Sequence, residues 1–202
     1  MYLLECDDEW NHIHSEDLWV YNKLFLSRRL GYLCGPAGTT VPKPDFYIVR
    51  PSFNLFGMSR LARIEWIEKR TDDMHPSEFW CQIFEGDHIS VDYHNQKQDL
   101  CVLGTRKKES QIYKWDKWEK INKNIIFPDI LKNLNKHYEW INCEFIGGNL
   151  IEVQFRRNPN FRYNNKVAIP VWNQNKKDLS EKYKNYRFIE DVSYDRIGFL
   201  IE

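Results

Sequence analysis

Residues 141–155, "INCEFIGGNLIEVQF", alternate polar and apolar side chains on both sides of a Gly147–Gly148 pair. Alternation with period two marks a strand half-buried in a sheet, and a glycine pair between two such runs marks a hairpin turn. The faces then set the register, because facing residues of paired antiparallel strands point to the same side. A two-residue turn at Gly147–Gly148 would set Glu144 opposite Ile151 and mix charged with apolar groups. A three-residue turn that includes Asn149 sets Glu144 opposite Glu152 and Asn142 opposite Gln154. One face then carries Asn142, Glu144, Glu152, Gln154 and Arg156. The other carries Cys143, Phe145, Ile151, Val153 and Phe155. A one-residue slip would turn every side chain over, so we expect the second register. Two carboxylates opposed across a ladder lie about 5 Å apart at Cβ and repel. Burying a carboxylate without a cationic partner costs several kcal/mol. Hard oxygen ligands on a rigid sheet suit Mg2+, with phosphate oxygens completing its shell. A solvated sheet face balanced by Arg156 and Arg157 is the plain alternative.

Other segments supply the frame. "SEDLWVYNKLFLSRRLGY" reads as a helix closed by Gly31, with Ser15 as N-cap and Glu16 and Asp17 at the positive end of the dipole. "CGPAGTTVPKP" reads as a loop, and "DFYIVRP" as a strand that Pro51 ends. A loop around Gly57 leads to an apolar stretch that suits a strand. "FWCQIFEG" and "DHISVDYH" flank Gly86, and the second alternates cleanly. "LCVLGTR", "VAIPVW" and "RFIEDVSYDRIGFLIE" read as strands, and "FPDILKNLNKHY" as a helix with Pro128 near its start. We expect one domain over residues 1–202, with a core at 19–161 and an extension at 162–202.

Composition limits the partners. Lys+Arg and Asp+Glu both number 29, so the chain has no overall field to attract nucleic acid or an anionic membrane. No apolar run is long enough to span a bilayer, and "MYLLECDDEW" lacks the basic start of a signal peptide. The five cysteines are scattered without a CxxC pair, which suggests reduced thiols in a cytoplasm and gives no zinc spacing. Trp115 and Trp118 in "YKWDKWEK" could stack on bases or sugars, or fill core.

Four motifs in order carry a resemblance to the ATP-grasp superfamily of ATP-dependent carboxylate ligases. "YNKLFLSRRLGYLCGPAGTTVPKP" resembles that family's early lysine helix and loop, and "YIVRPSFNLFGMSR" its phosphate-cradling strand and loop. "FWCQIFEGDHISVDY" resembles its hinge followed by E-G-x-x-x-S-V-D. "INCEFIGGNLIEVQFRRNPNF" resembles its two metal-ligand strands, which usually end I-E-x-N-x-R. The resemblance implies an α+β fold of two antiparallel sheet layers with helices and a nucleotide cleft between them. It implies Lys23 and Arg50 on ATP phosphates and Gly57 in the phosphate loop. It puts Cys81, Gln82, Ile83 and Phe84 at an adenine hinge, with backbone reading the base edge and side chains sandwiching the ring. His88 falls at the ribose position, and Glu144, Glu152 and Gln154 at the metal. Arg156 would face phosphate or the acceptor substrate, and Arg106 is a further charge near the γ-phosphate.

The chain departs from the family at several points. Arginine replaces lysine at 50, the loop around Gly57 is poor in glycine, and Gln154 stands where asparagine is usual. With only about eighteen residues before the lysine helix, we expect a minimal form without the front substrate domain of relatives. Substrate would then be held by the last forty or so residues, a second subunit or a partner protein. The function implied is Mg2+- and ATP-dependent activation of a small-molecule or peptide carboxylate as an acylphosphate, which an amine then attacks. The rival reading is a binding or structural protein that keeps the fold without turnover.

Overall fold

The computed structural model describes residues 13–53, 60–107, 110–134, 138–193 and 195–202. A 3-10 helix, Ser15–Tyr21, leads to helix α1, Lys23–Arg29. Strands β1 (Cys34–Pro36), β2 (Asp45–Pro51), β3 (Arg63–Ile67) and β4 (Glu78–Gln82) follow. After them come β5 (His88–His94), β6 (Lys97–Thr105), β7 (Lys117–Lys120), β8 (Trp140–Ile146) and β9 (Asn149–Gln154). The chain closes with β10 (Val167–Trp172), helix α2 (Lys176–Lys182), β11 (Arg187–Ser193) and β12 (Arg196–Ile201). The strands form two antiparallel sheets, ordered β1-β4-β2-β3 and β11-β12-β10-β7-β6-β5-β8-β9. The expected two-layer α+β architecture is what the chain adopts, with few helices.

The large sheet sorts its faces as the alternation demands. Val91, Tyr93, Cys143, Phe145, Leu150 and Val153 join one cluster with Val20, Tyr21, Leu26, Phe127, Leu131 and Leu134. Each fully buried aliphatic side chain there is worth about 1.5–3 kcal/mol. The residues between them, Ser90, Asp92, Asn142, Glu144, Glu152 and Gln154, belong to the other face. Helix α1 packs against both β1 and β9, and so bridges the two sheets.

Two helix expectations need correction. The run from Ser15 to Gly31 is not one helix capped by Ser15. It breaks at Asn22, which sits in extended backbone and accepts the Phe25 N–H on its side-chain oxygen. Asn competes with helix through such local bonds. The break starts α1 at Lys23, whose own N–H donates to the Ser52 carbonyl at 2.8 Å. The segment after Phe127 forms only a 3-10 turn, Asp129–Leu131, among its described residues. Phe127, Leu131 and Leu134 drop into the core from it, and Asn133 is a poor helix former.

Candidate active site

A cavity of about 560 Å3 lies between the two sheets. That size suits a small-molecule ligand. The small sheet contributes Ile48, Arg50, Ile64 and Cys81 to its wall, and the large sheet contributes His88, Glu144, Glu152 and Gln154.

The hairpin places the carboxylates. Glu144 pairs with Glu152 and Asn142 with Gln154, as the face argument requires. The means differ from the expected three-residue turn. Ile146 pairs with Asn149 across a two-residue turn, and a register shift follows, so Phe145 pairs with Leu150 and Ile151 is the extra residue. Gly147 (φ 56°) and Gly148 (φ 85°) both occupy the left-handed region, the conformation of the tight turn whose twist matches a hairpin. A bulge thus restores what the short turn would have spoiled. Leu150 takes the core place beside Phe145, and Ile151 joins the cavity wall instead of the apolar face.

Each carboxylate has a partner. Glu152 meets the Lys23 ammonium at 2.7 Å, with the two side chains 8 % and 4 % exposed. Its other oxygen accepts from Gln154 Nε2 at 2.9 Å. Glu144 lies 3.0 Å from His88 Nε2. The His88 ring is set edge-on to Trp115 and Trp118, with centroids at 4.5 and 5.5 Å. Arg50 is buried and donates to the Ile151 carbonyl at 3.4 Å. Burial pulls its pKa below the ordinary value, while Cys81, Glu152 and Glu144 pull it back up. Among the described residues its Nε is a buried donor with no hydrogen-bond partner. Such a donor is costly unless something accepts from it, and a phosphate oxygen would.

A buried network supports this wall. Asp92 accepts the Asn158 N–H on both oxygens at 3.0 Å and Asn142 Nδ2 at 2.7 Å. Asn142 and Asn158 also donate to Ser90 Oγ. Burial raises the Asp92 pKa, against the lowering effect of these bonds and of Arg157 and Arg156. The network ties residues 156–158 to β5 and so holds Arg156 at the wall. Sequence reasoning missed Asp92, although its place among the polar positions of "HISVDYH", on the strand beside Asn142, was a usable signal.

Two of the four residues expected at the hinge lie inside a strand. Cys81 and Gln82 are paired within the small sheet, opposite Ile48 and Tyr47. Only Ile83 and Phe84 lie beyond the strand, and both line the cavity. Gln82 is not a bystander, since its side-chain oxygen accepts the Leu33 N–H at 2.8 Å. Burial raises the Cys81 thiol to about 11, so it acts as a small apolar wall residue. Gly86 (φ 116°) then packs on the hairpin turn, and a Cβ on Gly147 would fall 1.9 Å from the Glu85 carbonyl oxygen. That contact joins the segment after β4 to the carboxylate hairpin.

Of the other expected residues, Arg106 and Arg156 reach the same cavity. Lys23 stands behind the wall on Glu152 and does not line the cavity. His88, expected at the ribose position, lines the cavity with a ring nitrogen 3.0 Å from Glu144. Gly57 lies outside the described residues. Trp115 and Trp118, read in the sequence only as possible stacking or core residues, complete the wall with Tyr113, Trp172 and Phe199, which the sequence reading left out. The signal was Gly104: a Cβ there would meet the Trp118 ring at 2.8 Å and the Trp115 ring at 3.0 Å, so glycine in mid-strand makes room for two indoles.

Hard oxygen donors from two strands fit Mg2+, which usually keeps one or two carboxylates and takes its remaining ligands from phosphates and water. Among the described residues no group of three His, Cys, Asp or Glu side chains could hold a metal alone.

No protein-family model and no curated protein matches the chain. Among solved structures, a protein from Archaeoglobus fulgidus assigned to the ATP-grasp superfamily superposes over 91 % of this chain, with a TM-score of 0.51 and 12 % identity. The chain has the ATP-grasp fold. Two further ATP-grasp structures align less well. The ligase PsnB with its minimal precursor covers 72 % of the chain, with a TM-score of 0.41 and 13 % identity. D-alanine–D-alanine ligase from Bacillus anthracis covers 72 %, with a TM-score of 0.38 and 13 % identity. The chain spans 64 %, 53 % and 59 % of the lengths of these three. Among the described residues no helix is long and apolar enough to cross a membrane.

Proposed function

We propose that the chain is a Mg2+- and ATP-dependent ligase that activates a carboxylate for attack by an amine. The observation that carries this reading is the convergence of Arg50, Glu144 and Glu152 with the open hinge residues Ile83 and Phe84 on one cavity of ATP-grasp geometry. Ile48, Ile83 and Phe84 would hold the adenine ring, and backbone where β4 ends would read its edge. Arg50 and Arg156 meet phosphate oxygens, and Arg106 adds charge. Glu144, Glu152 and the Gln154 side chain would hold Mg2+, which when bound offsets phosphate charge. The Lys23 ammonium, 2.7 Å from Glu152, holds that carboxylate in place.

A substrate carboxylate oxygen attacks the γ-phosphorus, and the bond to the β,γ-bridging oxygen breaks, giving an acylphosphate and ADP. The amine nitrogen then attacks the acyl carbon, the C–O bond to phosphate breaks, and an amide, phosphate and a proton are the products. The protein's part is positioning and charge neutralisation.

The test is ADP formation from ATP in the presence of carboxylic acids, with hydroxylamine as a trap that turns an acylphosphate into a hydroxamate. Acid-dependent hydroxamate supports ligase chemistry. The ion pair of Lys23 with Glu152 favours a second reading, an ATP-grasp protein that binds nucleotide without turnover. Nucleotide-dependent stabilisation with no hydroxamate from any acid would favour that reading.

A further inference from the structure

The cavity has more wall than a nucleotide needs. Across successive strands of the large sheet it continues from Glu144 through His88 and Gly104 to Trp118, Trp172 and Phe199. The rings there form one connected surface. Trp115 and Trp118 stand 4.8 Å apart at 50°, and Tyr113 meets Trp172 edge-on at 6.0 Å. The Trp172 indole N–H donates to the Trp115 carbonyl at 3.3 Å, which fixes the two relative to each other. Cations are set among the rings. The Arg196 guanidinium carbon lies 4.4 Å from the Phe199 ring and that of Arg106 5.8 Å from Trp115, while Arg156 lines the wall nearer the carboxylates. Among the described residues, no aspartate or glutamate lines this half.

These features select a chemistry. Fixed, tilted aromatic faces favour a flat ring over a puckered one of equal size. Arg196 is ion-paired with Asp191 at 3.2 Å, so it is the Arg106 guanidinium beside Trp115 that repels a cation and attracts an anion. Gly104 fits the same design, since any larger residue would displace the indoles. We propose that this half of the cavity takes an aromatic carboxylic acid, with its ring on the Trp115–Trp172 surface and its carboxylate turned toward Arg156 and the Glu144–Glu152 end. The proposal rests on the ligase reading of the same site, because it gives the acid its place beside the phosphates.

The experiment is calorimetry on the full chain with Mg2+ and a non-hydrolysable ATP analogue, titrated with phenylacetate, cyclohexylacetate, phenylacetamide and phenyl phosphate. Phenylacetate should bind roughly tenfold tighter than its cyclohexyl counterpart, the order expected from two or three aromatic contacts. It should also bind tighter than the uncharged amide and the phosphate. Trp172→Leu and, independently, Tyr113→Leu should remove the aryl preference, and Trp172→Phe should keep it, with analogue affinity unchanged in all three. Equal binding of the phenyl and cyclohexyl acids would overturn the proposal, as would tighter binding of phenyl phosphate or no acid binding at all. If the analogue itself does not bind, the nucleotide reading fails, and the acid titrations without it still decide the aromatic site by the same preference.

Discussion

Lys23→Met would strip Glu152 of an ammonium 2.7 Å away in a place where both side chains are almost wholly buried. Removing one partner of a buried ion pair typically costs about 3–5 kcal/mol, because the remaining charge loses its compensation without regaining water. Here the loss is sharpened by Glu144, which faces Glu152 across the ladder. Two carboxylates roughly 6 Å apart repel by about 3 kcal/mol at an effective dielectric constant of about 20. Arg50 offsets part of this, since it interacts with both. We therefore expect Lys23→Met to lower unfolding free energy by about 3 kcal/mol, measured by urea denaturation at neutral pH. The double variant Lys23→Met/Glu152→Gln should recover most of the loss, because the neutral amide keeps an oxygen for Gln154 Nε2 and no longer needs a cation. A single-variant effect under 1 kcal/mol, or a double variant whose losses simply add, would refute the view that Lys23 neutralises Glu152.

Three further outcomes follow from the same geometry. Gly147→Ala should destabilise the hinge–hairpin junction by several kcal/mol and weaken nucleotide binding, since the new Cβ would overlap the Glu85 carbonyl at a positive φ; unfolding curves with and without ATP check both effects. For Asp92, whose carboxyl is raised by burial, the contribution to stability is full below its unfolded pKa of about 3.9 and is lost as pH rises through the raised folded value. The stability of the wild type relative to Asp92→Asn should accordingly fall as pH increases from acid to neutral, and a difference that stays level or grows would contradict the assignment. Gln82→Ala should cost about 1 kcal/mol through the lost Leu33 bond, with little change in ATP affinity.

How much was legible in the sequence varied with the range of the interaction. Alternation in residues 141–155 and 88–94 was enough to place Glu144 and Glu152 on one face, because a period of two leaves few registers that keep the faces apart. The turn was misread because a bulge at Ile151 achieves the same pairing as a longer loop, and alternation cannot tell the two apart. The helix break at Asn22 was visible only as a weak preference, and its force comes from the Lys23–Ser52 bond, which joins segments distant in sequence. Motif order anticipated the two-layer fold and the cavity residues of the small sheet. The aromatic half was missed because Trp115 comes from the loop before β7, Trp172 from β10 and Phe199 from β12. Only the sheet order brings them together, although Gly104 inside an apolar strand marked where rings would lie. Lys23 was expected on phosphate, and local sequence could not show its ion pair with Glu152, which lies far off in the chain.

The proposed sharing of the cavity between the sheets by Mg2+ and ATP is decided by calorimetry. Mg2+–ATP should bind the wild-type chain. Glu152→Gln should lose the Mg2+-dependent part of the affinity while remaining folded, and Phe84→Asp should lose nucleotide binding altogether by putting a charge into the ring slot. Equal affinities for Mg2+–ATP in all three proteins, or no binding by the wild type, would contradict it.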